Sequence, residues 1–517
     1  MVFATGSDQE HRSVPGGGAS GDKSGFVLAA GDESPAWWAG AVVYQIYPRS
    51  FADSDGDGVG DLLGIIGRLD YLADLGVDVL WLSPFYPSPQ VDNGYDVSDY
   101  RAVDPLFGTL ADFDELVAQA HRRGLRIVLD IVVNHTSDRH PWFIESRSST
   151  DNPKRDWFWW RPARDGRPPN NWGSYFGGSA WALDPATGEY YLHLFDRAQP
   201  DLNWENPQVR AEIHAMMRWW LARGVDGFRM DVINLISKDP ALPDGPVDPA
   251  TGYGDGQVHY ANGPRIHDYL AELRREVFRG NASDHLIVGE MLAVGVADAA
   301  RYTDPRRGEL DMIFQFEHVV LDHGEHKFER VPLGLPRLKE SLNRWQQGLA
   351  EHGWNTLYLN NHDQPRMVSR FGNDGRYRVE SATALAAVLH LHRGTPFIFQ
   401  GEELGMTNPP LVGAEDLRDV ESINYLRHAE ETGADLQPVW HAIRTGSRDN
   451  ARSPMQWDDS AHAGFTTGAG PWFPVNPNHR SINVDAQIDD PDSVLGFYRR
   501  LITLRHQNPV VVHGDFT

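Results

Sequence analysis

Three carboxylates each close a short apolar run: Asp231 in GVDGFRMDVIN, Glu290 in LIVGEM and Asp363 in YLNNHDQPR. Runs of this kind read as buried parallel strands, and the C-terminal ends of such strands carry the chemistry of a (β/α)8 barrel. Two carboxylates flanking a glycosidic bond can cleave it, one giving a proton and the other attacking the anomeric carbon, while a third steadies the charge that develops. Arg229 precedes Asp231 by two positions and so shares its strand face. It is expected to keep Asp231 ionised and to lower its pKa. Apolar neighbours around Glu290 are expected to raise its pKa, as a general acid near neutral pH requires.

Further polar clusters lie at other predicted strand ends. His362 and Asp363 adjoin Asn360, Asn361 and Arg366, a set able to grip hydroxyls. Asn134 and His135 end a strand that contains Asp130. The triplet Gly94 to Asp96 follows Asp92, so Tyr95 offers a stacking platform and Asp92 a hydroxyl acceptor. The segment DSDGDGVGD, Asp53 to Asp61, places oxygen donors at alternate positions with glycines between them. That is the logic of a calcium loop, although the distal Glu of an EF-hand is missing and a solvated acidic turn remains the alternative.

The elements that must position these groups alternate along the chain. AVVYQIYP, VDVLWLSP, LRIVLDIVVNH, GVDGFRMD, HLIVGE, LDMIFQFE, NTLYLNN and TPFIFQGEE read as strands. Between them lie helical patterns, such as Leu62 to Leu75 and the Thr109-capped run through Phe113, Leu116, Val117 and Ala120. Eight strands in this order favour an α/β fold, a (β/α)8 TIM barrel. Residues 136–203 break the rhythm with dense Trp, Pro, Gly and Asn, and read as an irregular subdomain inserted after the third strand. The domain reading is therefore a disordered leader at 1–35, barrel at 36–135, subdomain at 136–203, barrel at 204–508, and at 509–517 the first strand of a C-terminal β domain that is otherwise missing.

Composition narrows the class. A net charge of −25 argues against nucleic acid and anionic membranes as partners. The absence of cysteine removes disulfides, thiolate metal sites and thiol nucleophiles. No secretory pattern and no apolar run of about 18 residues is present. The expectation is a cytoplasmic protein, monomer or homodimer, acting on a small molecule.

DIVVNH, GFRMDVIN, IVGE and NNHD, in this order, resemble the four strand-end motifs of the α-amylase superfamily, glycoside hydrolase family thirteen. QPDLNWENP and ARSPMQWD resemble its oligo-1,6-glucosidase branch. The resemblance covers the chain from Trp37 to Thr517. It implies Asp231 as nucleophile, Glu290 as acid/base and Asp363 as transition-state stabiliser. It implies Asp92, Tyr95, His135, Arg229, His362 and Arg452 as the wall of a glucose pocket, and Val232 as a marker of α-1,6 preference. It also implies a structural Ca2+ or Mg2+ held by Asp53, Asp55, Asp57, Asp61 and the Val59 carbonyl. The family normally ends in a β-sandwich, which this chain carries only in its first strand.

The activity so implied is removal of terminal α-1,6-linked glucose from short oligosaccharides. Rival readings are an α-1,4- or sucrose-active glucosidase, a trehalose-6-phosphate hydrolase, and an inactive barrel used for interaction. The phosphate reading requires a Lys or Arg cluster at the pocket mouth. The Arg-rich RLDRD segment of isomaltulose-forming relatives is replaced here by LDHGEHKFERV, which favours hydrolysis over isomerisation.

Overall fold

The eight expected strands are present as β1 (Val43–Ile46), β2 (Val79–Leu82), β3 (Arg126–Val132), β4 (Gly227–Asp231), β5 (Leu286–Glu290), β6 (Met312–Phe314), β7 (Thr356–Leu357) and β8 (Thr395–Phe399). They come from a computed structural model that describes residues 36–515 apart from 250, 281, 325 and 326, so the expected leader lies outside the described residues. The strands pair in parallel in the order β7-β8-β1-β2-β3-β4-β5-β6. A parallel bridge from Ile313 to Asn355 joins β6 to β7 and closes the ring. Side chains of β1, β2, β4, β5, β6 and β8 are buried throughout, as continuous apolar strands between helices must be.

Local sequence signals set the helices that wrap this ring. Thr109 and Asp112 form a reciprocal capping box that starts helix Leu110–Arg122, whose Phe113, Leu116, Val117 and Ala120 are buried. Helix Pro207–Leu221 starts on the Asn206 cap and buries Ile213, Met217 and Trp220. The expected Leu62 to Leu75 helix is two helices, Leu62–Ile66 and Leu69–Leu75, interrupted at Gly67 and Arg68.

Two expectations are corrected. The inserted subdomain is not irregular: it holds helix Pro141–Ser148 and an antiparallel sheet in which Glu189–Leu192 lies between Trp160–Pro162 and Trp181–Leu183. Strands of three or four residues are too short to show a period of two, and their aromatic content concealed them. The buried Lys238 ammonium joins this subdomain to the barrel, meeting Asp201 at 2.8 Å and the Asn134 side chain at 3.0 Å. Second, the tail is a short helix, Pro509–His513, rather than a strand. Pro509 presets its first turn, and Val512 buries itself beside Trp38 and Trp354 at the barrel's base. Among the described residues no helix is long and apolar enough to cross a membrane.

Candidate active site

The strand ends open into a pocket of about 1130 Å³, its open mouth included. Asp231, the last residue of β4, and Glu290, the last of β5, both line it, with Asp363 beyond β7 and Asp92, Tyr95 and His135 from the loops after β2 and β3. Seven of the ten predicted catalytic and substrate-binding residues, Val232 included, therefore reach the pocket. Arg229, His362 and Arg452 do not line it; they stand behind those that do.

Arg229 is completely buried and holds three carboxylates: Asp130 and Asp231 at 2.8 Å each, and Glu290 at 2.7 Å. From its place on the same strand face, this guanidinium is expected to lower the pKa of Asp231. It pulls in that direction, but burial is the larger influence, and the Glu290 and Asp130 charges add to it, so the Asp231 carboxyl is raised well above its ordinary value. Burial likewise raises Asp130 to about 6. Glu290 was expected in apolar surroundings, yet its oxygens meet Arg229 and the Val232 N–H, the latter at 3.1 Å. That N–H is aimed by a Val232 backbone at φ 37°, ψ 40°, left-handed and strained for a β-branched residue.

Asp363 is governed by a second set of charges. Burial pushes its pKa up, but the net displacement is far downward. Its neighbour His362, 3.3 Å away, is itself driven by burial down to about 3 and is a neutral imidazole. The guanidiniums of Arg448 at 3.3 Å and Arg452 at 3.4 Å are thus what hold Asp363 ionised. The His362 ring stacks on Tyr95 with centroids 5.1 Å apart, and its Nδ1 takes a hydrogen bond from Gln45 at 2.7 Å. That leaves the ring proton on Nε2, facing Asp363.

Arg452 is the arginine that the resemblance implies; Arg448 is not among the residues it names. Arg448 is the arginine in the pocket wall, ion-paired to Asp92 at 2.9 Å and to Asp419 at 2.7 Å. Arg452 lies one short turn further on and is buried beneath. Both belong to SRDNAR, and a spacing of four does not say which of two arginines reaches the cavity. Burial raises Asp92 to about 6 against the pull of Arg448 and Arg452, and Gln199 donates to its other oxygen at 3.1 Å. Phe176 and Phe195, also missed, add flat apolar wall from the inserted subdomain.

The acidic loop draws Asp53, Asp55 and Asp61 together, with one oxygen from each within 4.8 Å of the others. This all-oxygen donor set fits a hard divalent cation. Asp57 is not part of that group; its carboxylate takes the Val59 N–H at 2.7 Å.

A family model described as the α-amylase catalytic domain matches residues 45–514. The chain is 57% identical over 482 residues to an oligo-1,6-glucosidase of Parageobacillus thermoglucosidasius, covering 93% of this chain and 85% of that protein. It is 54% identical over 484 residues to an oligo-1,6-glucosidase of Halalkalibacterium halodurans, covering 93% and 86%. Its fold superposes on a crystal structure of Bacillus licheniformis trehalose-6-phosphate hydrolase with a TM-score of 0.86 at 47% identity, covering 93% of this chain and 86% of that one. With strand-end carboxylates, barrel and inserted subdomain all in place, the chain belongs to the α-amylase superfamily of glycoside hydrolases, in its oligo-1,6-glucosidase branch.

Proposed function

We propose that this enzyme is a retaining α-glucosidase that releases single glucose units from the nonreducing ends of isomaltose and short isomalto-oligosaccharides. The observation that carries the reading is the buried Asp92–Arg448 ion pair, which lines the pocket beside Asp363. A wall of paired charged groups there suits the several hydroxyls of a terminal glucose, which a chain end presents and the middle of a polymer does not. Asp231 and Glu290 sit on different nitrogens of one guanidinium, an arrangement suited to the roughly 5–5.5 Å separation of retaining enzymes.

Three carboxylates around one buried guanidinium would leave two uncompensated charges if all were ionised, so the cluster keeps a proton. In the productive state that proton is on Glu290, which delivers it to the glycosidic oxygen. Asp231 attacks the anomeric carbon and forms a β-glucosyl ester. Glu290, now a base, activates the water that releases α-glucose. Asp363, held ionised, accepts substrate hydroxyls as positive charge builds on the ring.

The α-1,6 preference rests on the branch relatives and on Val232, whose side chain lines the pocket beside the nucleophile. Initial rates on isomaltose, maltose, sucrose and trehalose-6-phosphate, measured side by side, test it. Isomaltose is expected to be the best of the four, and Val232→Ala is expected to shift the isomaltose-to-maltose ratio toward maltose by about 10–200-fold. Higher efficiency on maltose in the wild type would make this an α-1,4-glucosidase. The phosphate reading is weakened by the charge at the mouth: Lys327, the lysine in the pocket wall, is already paired with Glu421 at 2.5 Å.

Part of the same proposal is a structural Ca2+ or Mg2+ held by Asp53, Asp55 and Asp61. When bound it would neutralise the loop's charge, and it takes no part in bond cleavage. Chelation is expected to lower the melting temperature by about 2 °C or more. An unchanged melting temperature together with no metal by elemental analysis would leave a solvated acidic turn.

A further inference from the structure

A cluster outside the pocket joins three segments far apart in sequence: the turn Pro48–Ser50 after β1, the loop that carries Asp92, and residues 465–473. Trp472 is at its centre, and its backbone N–H, indole N–H and ring face are all engaged. Its backbone N–H donates to the Gly58 carbonyl of the acidic loop at 2.8 Å. Its indole N–H donates to Ser50 Oγ at 3.1 Å. Its ring face carries the Arg49 guanidinium, 4.2 Å from the centroid.

The two side-chain partners, Ser50 and Arg49, are each one step from a residue of the sugar site. Ser50 Oγ donates to the Arg452 carbonyl at 2.6 Å. Arg49 donates to the side-chain oxygens of Gln90 at 3.0 Å and Asn93 at 3.2 Å, and Asn93 directly follows Asp92. Both Gln90 and Asn93 have left-handed backbones, φ 65° and 49°, so these hydrogen bonds brace a loop in an unfavourable conformation.

Arg49 forms no ion pair among the described residues, although the chain carries a net charge of −25. Its neighbours are an indole face and neutral amide oxygens, which use the planar, forked shape of a guanidinium more than its charge. The mooring on the acidic loop is close. A Cβ on Gly58 would lie 2.3 Å from the Gly470 carbonyl, and one on Gly468 would lie 1.9 Å from the Gly56 carbonyl. The two loops touch through their backbones, so Trp472 cannot shift unless the acidic loop shifts too.

We infer that Trp472 is a positioning residue of the glucose pocket: through Arg49 it fixes the loop that bears Asp92, and through Ser50 it fixes the turn that bears Arg452. The inference rests on the α-glucosidase reading above. It differs from simple packing in its target, because Trp472 is only half-buried and reaches the ligand-binding loops without touching Asp231 or Glu290.

The test measures KM and kcat for p-nitrophenyl α-glucoside, inhibition by glucose, and melting temperature, in wild type, Trp472→Ala, Trp472→Phe and Arg49→Met. For Trp472→Ala and Arg49→Met, KM and the glucose inhibition constant are expected to rise together by about 5–10-fold, with kcat changed by less than about threefold. Trp472→Phe keeps a face for Arg49 and is expected to recover most of the loss. Wild-type KM and glucose inhibition in either Arg49→Met or Trp472→Ala would overturn the inference, as would a fall in kcat with glucose inhibition unchanged. Should Trp472→Ala fail to fold, Arg49→Met decides. Wild-type turnover tests the α-glucosidase reading separately, because the relay is judged only by variant-to-wild-type ratios.

Discussion

Arg229 and Arg448 are both buried guanidiniums surrounded by carboxylates, yet Asp231 beside the first and Asp363 beside the second are displaced in opposite directions. Arg229 stands alone among Asp130, Asp231 and Glu290, and burial prevails at Asp231, whose carboxyl is raised. Arg448 is joined by Arg452, so that Asp363, which is also less buried than Asp231, has two cations within 3.4 Å and is held far below its ordinary range. Nearby cations and burial together set the protonation state: under the same two arginines the more deeply buried Asp92 is raised to about 6. The division suits the chemistry proposed above, in which Asp231 and Glu290 keep and move a proton while Asp363 stays ionised to accept hydroxyls.

The most severe break on the Arg229 side is Asp231→Asn. An amide cannot form the glycosyl ester, so turnover is expected to fall by at least about 10³-fold while the melting temperature stays near wild type. More than a tenth of wild-type turnover would remove Asp231 from the nucleophile's role.

On the other side, Arg448→Met and Arg452→Met separate the two cations that share Asp363. Taking one partner from a buried ion pair costs about 3–5 kcal/mol, equivalent to about 10²–10⁴-fold in kcat/KM if expressed at the site. Arg448 touches Asp92, Asp363 and Asp419, so its loss is expected to be the larger. With a cation gone, the Asp363 pKa rises, and the acid limb of the kcat/KM profile moves to higher pH. If Arg452→Met proved the more damaging variant, the original assignment of Arg452 to the pocket would be restored.

The same contrast explains what was legible in the sequence. Asp231, Glu290 and Arg229 lie on strands, where apolar runs mark the end of each element and a period of two fixes the face. Their convergence followed from the barrel. Arg448 belongs to a short turn after a helix, where no period relates sequence position to direction; the resemblance pointed only to Arg452, four residues on, which meets Asp363 from behind the pocket wall. Phe176 and Phe195 were missed for a related reason, since both lie in turns outside the subdomain's strands, where no period says which aromatics face inward. The rise at Asp231 was missed because one strand shows one arginine; that Asp130 and Glu290 share this arginine appears only when β3, β4 and β5 stand side by side. The tail's helix was hidden by VVV, which favours a strand only where another strand can pair with it.

A third site gives the limit in which no cation is available. Glu402, just after β8, is completely buried, and its Oε1 takes the Tyr498 hydroxyl at 2.8 Å. Arg366 lies nearby, but its terminal nitrogens donate to the Gln400 and Ala451 carbonyls at 2.5 Å and 3.1 Å. Burial accordingly raises Glu402 from 4.5 to about 8. The folded state therefore binds more protons than the unfolded state across that interval. The contribution to stability is full below pH 4.5 and is lost as pH rises through about 8. The melting temperature is expected to be at least about 2 °C lower at pH 8.5 than at pH 6, and Glu402→Gln, which cannot ionise, is expected to flatten that slope. The effect is the smallest of the set because it acts on stability and leaves the pocket's charges alone. An equally steep slope in Glu402→Gln would mean that the alkaline loss comes from another group, and that burial without a cation does not hold this carboxyl protonated.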